Sequence, residues 1–223
     1  MPIRSKRRDS LMQNRIAVVA LDLDGVLFDG PSAAYPLAKQ LGLEEAFVGV
    51  VRKQLSLRDS IIQGARIWTG IPVDGTLDPL VEKIPLMLGA EETVKSLRQL
   101  GYRVGCVSSG VSQFFMKPFS RRLNLEFAFS NTLGEKDGKH DGTVKYVMEG
   151  PQKAAKVLQY LKSKGFSSRN LASVGDGEND LDLFKLSSLS IAFNPQTERV
   201  SQAASVTIRS KDLRTILPYF ETA

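Results

Sequence analysis

The chain has 223 residues, 42% hydrophobic and 24% charged, enough for one sizeable core or a core with a small inserted domain. It has no apolar run near the roughly 18 residues of a membrane span, an N-terminus without an apolar secretory core, and a single cysteine that cannot form an internal disulfide. A cytoplasmic protein with no membrane partner is therefore expected. The net charge is +6, and Arg4, Lys6, Arg7, Arg8 and Arg15 against Asp9 put +4 of it in residues 1–15.

Those first 15 residues read as a basic flexible tail. They lack interleaved aromatics, so a nucleic-acid partner is not expected. Ile16 to Leu21 is an apolar run of strand length ending in two acids. From about Gly30 to Pro85 helix formers dominate and no convincing strand occurs, which reads as a helical insertion. Ala90 to Leu100 puts Val94, Leu97 and Leu100 on one helical face and stops at Gly101. Tyr102 to Val107 is a second strand, followed by Ser108-Ser109-Gly110 and a helix starting near Ser112. Between Ala128 and Tyr146, Asp137-Gly138 signals a short antiparallel excursion.

Pro151 suits a first helical turn. Ala154, Val157, Leu158 and Leu161 then form an apolar stripe that ends before Gly165. Leu171 to Val174 is a third strand, with weaker ones at Leu189 to Phe193 and Val206 to Ile208. Short apolar strands alternating with amphipathic helices predict an α/β fold, a doubly wound parallel (Rossmann-like) sheet covered on both faces. Sites in such folds lie beyond the carboxyl ends of the strands.

The strand ends carry the chemistry. Asp22 and Asp24 follow the first strand. Two carboxylates after six apolar residues are costly unless paired or metal-bound, and they suit a nucleophile with a general acid/base. Ser108 and Ser109 follow the second strand near a helix entrance, where hydroxyls and N–H groups receive phosphate. Lys153 lies in the first turn of its helix, an end that disfavours cations unless an anion is near. Gly175-Asp176-Gly177-Glu178-Asn179-Asp180 packs acids around two glycines after the third strand. Such a loop suits Mg²⁺, and it lacks the twelve-residue calcium pattern ending in Glu. Cys106 reads as a core residue, and His140 as a residue of an exposed loop.

These segments together resemble the haloacid dehalogenase superfamily, in its phosphoserine phosphatase-like branch, over roughly Ile16 to Tyr219. Gly89-Ala90-Glu91-Glu92-Thr93 and Ser210-Lys211-Asp212-Leu213-Arg214-Thr215-Ile216-Leu217 are similar too. The resemblance implies a core over residues 16–29 and 86–223 with a small helical cap over residues 30–85. It implies Mg²⁺-dependent hydrolysis of a small phosphorylated metabolite. Asp22 would form an aspartyl-phosphate and Asp24 would act as acid and then base. Lys153 would balance charge, and Ser108, Ser109 and Asn179 would hold phosphate. The metal would rest on Asp22, the Asp24 carbonyl and Asp176, with Asp180 holding its waters. A monomer or homodimer is expected.

Three positions depart from that pattern, one being Ser109, which stands where the second motif usually has a glycine. The Glu expected nine residues after the nucleophile is Pro31, with Asp29 the nearest acid. The Arg that grips a substrate carboxylate aligns with Ser60, leaving Arg58 as the nearby candidate, about 200° around the helix from it. Absence of both amino-acid handles would favour a different small phosphate ester. Phosphoserine is the leading single substrate, and a phosphoglycolate, sugar phosphate or nucleotide is its rival. A phosphomutase and a non-catalytic module on the same fold are rival readings.

Overall fold

The computed structural model describes residues 15–221, so the basic tail expected over residues 1–15 falls almost wholly outside the described residues. Seven strands form one sheet: β1 (Val18–Leu21), β2 (Arg103–Ser112), β3 (Phe127–Lys136), β4 (Lys139–Tyr146), β5 (Leu171–Gly175), β6 (Leu189–Phe193) and β7 (Val206–Ile208). Their order is β4-β3-β2-β1-β5-β6-β7, and every pair is parallel except β3 with β4. β1 lies near the middle and all four of its residues are fully buried, as a strand covered on both faces requires. Register puts Leu21 beside Cys106 of β2 and Val174 of β5. Asp22, Val107 and Gly175, the next residue in each case, therefore lie at one level, and β2 alone continues beyond it to Ser112.

The two faces of β1 feed two cores because side chains alternate along a strand. Val19 and Leu21 pack with Val94 and Leu97 of a helix at Ala90–Gln99 and with Phe115 and Phe119 of a helix at Gln113–Leu123. Val18 and Ala20 pack with Val157 and Leu161 of a helix at Gly150–Ser163. Shorter helices at Leu181–Leu186, Glu198–Ala203 and Pro218–Glu221 complete the layers. Tyr102 ties the last of these down by donating its hydroxyl to the Phe220 carbonyl at 2.6 Å.

Residues 34–82 form four helices, named α1 (Ala34–Gln40), α2 (Glu44–Val51), α3 (Leu57–Ile67) and α4 (Asp78–Glu82). Ser56 starts α3 by accepting the Asp59 N–H, a side-chain cap. The chain after α3 pairs with the β3–β4 hairpin: Gly70 N donates to His140 O, His140 N to Ile71 O, and Val73 N to Gly138 O, all within 3.0 Å. This strand-like pairing carries little apolar periodicity, so the sequence reads it as part of a purely helical insertion. No helix among the described residues is long and apolar enough to cross a membrane.

The hairpin differs from the expected short excursion. The first half of β3 is a full member of the parallel sheet, pairing Phe127 with Gly105 and Phe129 with Val107, and only its second half turns through Asp137-Gly138 into β4. His140 is accordingly not on an exposed loop. It is 6% exposed in β4, beneath the residues that follow α3. Cys106 is fully buried in β2, as expected of a core residue.

β2 loses regular register with β3 between Val107 and Ser112. Asn131 of β3 holds that irregular stretch. Its Nδ2 donates to the carbonyls of Ser109 (2.7 Å) and Val111 (3.1 Å), and its Oδ1 accepts the Met148 N–H (2.7 Å). Asn131→Ala leaves three buried backbone groups unpaired, at about 1–3 kcal/mol each. Calorimetry should record a loss of at least about 3 kcal/mol, or roughly 6–12 °C in Tm. A loss under about 1 kcal/mol would show that the stretch is held by other contacts.

Candidate active site

Asp22 follows β1 directly, and its N–H still donates to the Val174 carbonyl of β5. The residue is 4% exposed. Oδ1 accepts from the Leu23 N–H at 2.8 Å and lies 2.9 Å from Lys153 Nζ. The same ammonium lies 2.8 Å from Asp180 Oδ1. Lys153 is fully buried because it occupies the inward stripe of its helix, one turn before Val157 and two before Leu161. Burial opposes its charge, but the Asp180 and Asp22 carboxylates outweigh that and raise its pKa.

The loop after β5 brings two more acids. Asp180 Oδ2 accepts the N–H groups of Asp176 (3.1 Å) and Gly177 (3.2 Å), which folds the loop around its carboxylate. Asp176 Oδ2 accepts from Gln196 Nε2 at 2.9 Å. Asp24 Oδ1 accepts the Ala33 N–H at 2.6 Å. Two glycines allow these acids to crowd together. Gly25 adopts φ +72°, and a Cβ on it would stand 2.0 Å from Asp176 Oδ2. A Cβ on Gly110 would stand 2.0 Å from Asp24 Oδ2.

Asp22, Asp176 and Asp180 each offer a carboxylate oxygen within 4.8 Å of the others. An all-oxygen, acidic and compact donor set could hold a hard divalent cation. Four carboxylates face one lysine here, and three of them, Asp22, Asp24 and Asp176, have raised pKa values. Burial, with Asp180 next, raises the Asp22 pKa well above the usual carboxylate range, against the pull of Lys153. Burial pushes Asp24 and Asp176 each up to about 6. A bound cation would reverse much of that penalty.

The remaining expected residues divide. Ser108 and Ser109 are buried in the irregular end of β2 and not at a helix entrance, which falls four residues later at Gln113. Ser108 Oγ accepts the Gly110 N–H at 3.0 Å, and Asn179 Nδ2 donates to Ser109 Oγ at 3.1 Å. Arg58 is not brought to the acids. It pairs with Glu149 Oε2 at 2.9 Å on the surface, because its place on α3 turns it away from the face that carries Ser60. Pro31 and Ser60 both line the cavity beside the acids. Gln196 is a site residue that the sequence reading does not find. It stands three residues beyond β6, so the strand-end rule applied to that strand would have found it.

Above the acids lies a cavity of about 580 Å³ between the strand ends and α1 to α4. It is lined by Asp22, Asp24 and Asp176 on the sheet side, and by Phe47, Ile61 and Trp68 among others on the helical side.

The chain is similar in sequence and fold to known proteins. A family described as haloacid dehalogenase-like hydrolase matches residues 137–218. The phosphoserine phosphatase of Methanocaldococcus jannaschii is 28% identical over 215 residues, covering 94% of this chain and 100% of that one. The Archaeoglobus fulgidus phosphoserine phosphatase is 29% identical over 201 residues, 88% of this chain, and the match spans only 57% of its own length. A substrate-bound phosphoserine phosphatase structure superposes with TM-score 0.77 at 27% identity, over 92% of this chain and 98% of that one. A phospho-aspartyl intermediate analogue of phosphoserine phosphatase gives 0.76 at 28%, over 92% and 99%.

The acid cluster has a measurable cost. Folding raises the pKa of Asp176 from about 3.8 to about 6, so ionising it disfavours the metal-free fold. That penalty is absent below pH 3.8, grows as pH rises, and is complete above pH 6. Asp176→Asn should therefore raise the Tm of EDTA-treated protein by several degrees at pH 8, on the order of 2–3 kcal/mol, with no gain at pH 4. A lower Tm at pH 8 in thermal denaturation would mean that Gln196 and Lys153 already offset the burial of the charge.

Proposed function

The chain belongs to the haloacid dehalogenase superfamily, in its phosphoserine phosphatase-like branch, and on that premise we propose that it hydrolyses a small phosphomonoester through a covalent aspartyl-phosphate on Asp22. The observation that carries the proposal is the pair of contacts made by buried Lys153, 2.9 Å to Asp22 and 2.8 Å to Asp180. They hold one carboxylate ready and cancel part of the charge that an arriving phosphate adds.

The residues then divide the reaction. The Asp22 carboxylate attacks phosphorus as the P–O bond to the alcohol breaks. Asp24, pushed up to about 6 by burial, carries the proton that the departing alkoxide takes. It then removes a proton from the water that attacks the phospho-aspartate, which restores Asp22 and frees phosphate. Ser108, Ser109 and Asn179 hold the phosphate oxygens. Asp22, Asp176, Asp180 and the Asp24 carbonyl would hold a divalent cation, proposed as Mg²⁺. When bound it supplies Lewis-acid charge and a template for the phosphate. Phosphoryl transfer needs mostly such positioning and charge.

The helices at residues 34–82 act in this reading as the cap over the site. They exclude bulk water and meet the leaving group. Arg58, committed to Glu149 at the surface, has no part in it.

Asp22→Asn should lower Mg²⁺-supported p-nitrophenyl phosphate hydrolysis by at least about 10³-fold in a colorimetric assay. Near-normal turnover would remove Asp22 as nucleophile. Dialysis against EDTA should abolish turnover, and added Mg²⁺ should restore it. Full activity after chelation would remove the metal.

A further inference from the structure

The cavity has two unlike ends. Around Asp22 it is acidic and densely hydrogen-bonded. Away from Asp22 the walls are hydrocarbon: Phe47, Leu55, Ile61, Ile67, Trp68 and Phe114 line it. No lysine or arginine among the described residues lines it. Lys153 is fully buried and already holds Asp22 and Asp180. The two acids that line the cavity outside the catalytic group have cations of their own. Asp78 lies 2.5 Å from Arg121, and Glu178 lies 3.0 Å from Arg199.

A leaving group bearing a carboxylate would enter this space without a countercharge, and one bearing an ammonium would find no unpaired acid outside the catalytic group. Burying either charge unpaired is costly. The polar wall groups away from the acids are neutral, among them Ser60 and Asn131. His140 faces the Phe114 ring edge-on at 4.8 Å, and burial holds its imidazole toward the uncharged form. At the rim, Val51 and Leu57 line the cavity while remaining 62% and 40% exposed. That is apolar surface left for a ligand to cover.

We propose that the substrate is a phosphomonoester of an uncharged hydrocarbon alcohol, alkyl or aryl, whose apolar part lies against the helical wall while its phosphate meets Asp22. The proposal rests on the phosphatase reading of Asp22 and narrows it. Phosphoserine, charged at both its amine and its carboxylate, is a poor substrate for this cavity.

The test is a homologous series with the wild-type enzyme in Mg²⁺: n-propyl, n-pentyl and n-octyl phosphate beside phosphoserine. The kcat/KM should climb by up to about fourfold per added methylene until the cavity is filled. Octyl phosphate should exceed phosphoserine by about tenfold or more. A flat or falling series, or a preference for phosphoserine, overturns the proposal. Gly64→Arg gives a second reading. Gly64 lies inside α3 and lines the cavity, and a Cβ there meets nothing within 4 Å, so a side chain can be introduced at that position without a backbone clash. The new cation should cut kcat/KM for octyl phosphate by about tenfold while that for phosphoserine holds or rises. Equal losses for both overturn the proposal. If no ester is hydrolysed, the phosphatase reading itself fails. Calorimetric binding to Asp22→Asn then decides the proposal alone: tighter octyl phosphate supports it, and equal or tighter phosphoserine overturns it.

Discussion

One buried ammonium organises this protein's chemistry. Lys153 sits between Asp22 and Asp180 with no exposed surface, on a helix face otherwise given to Val157 and Leu161. A lone lysine there would be expelled or neutralised, and two neighbouring buried carboxylates without it would hold protons. Each charge is tolerable because the other is present. The contact also spans the fold, since Asp22 follows β1, Asp180 follows β5 and Lys153 comes from the helix packed across them. Sheet register and helix packing must both be right before it can form.

The rest of the site accommodates the charge that Lys153 leaves over. Peptide N–H groups of Asp176 and Gly177 fold onto Asp180, Gln196 reaches Asp176, and the Ala33 N–H reaches Asp24. Gly25 and Gly110 keep the space that those carboxylates occupy free of side chains. Neutral donors satisfy hydrogen bonds without cancelling charge, so Asp24 and Asp176 stay near 6. That residual negative field is what makes the oxygen cluster suited to a divalent cation. The opposite wall follows the other rule of burial. It is hydrocarbon, and its one acid, Asp78, is paired with Arg121. Acidic and apolar walls thus meet in one cavity, supplied by different parts of the chain.

Much of this is legible in the sequence. The strand ending at Leu21 reads from six apolar residues stopped by an acid, and the loop at 175–180 reads from glycines spaced among acids. Both signals are local, and both survive folding because central parallel strands are buried on two faces. Some features are not legible. The first half of β3 is short and mixed in polarity, so its parallel pairing with β2 is visible only once β2 is in place. His140 looks exposed beside Asp137-Gly138, but the residues after α3 cover it. Asn131 has an ordinary identity in sequence, and its value lies in three backbone partners from two distant segments.

Residue order alone is enough to establish an alternating α/β chain, the acids and hydroxyls at its strand ends, and a lysine where a helix entrance disfavours one. These follow from periodicity and from the cost of placing charge next to apolar runs, both properties of neighbouring residues. It takes the folded chain to establish that Lys153 bridges Asp22 and Asp180, that Arg58 turns away to Glu149, and that the wall facing the acids carries no free cation among the described residues. Those outcomes depend on strand register, helix rotation and which distant side chains share a cavity. No local pattern encodes them, because each is settled by the packing of segments tens of residues apart.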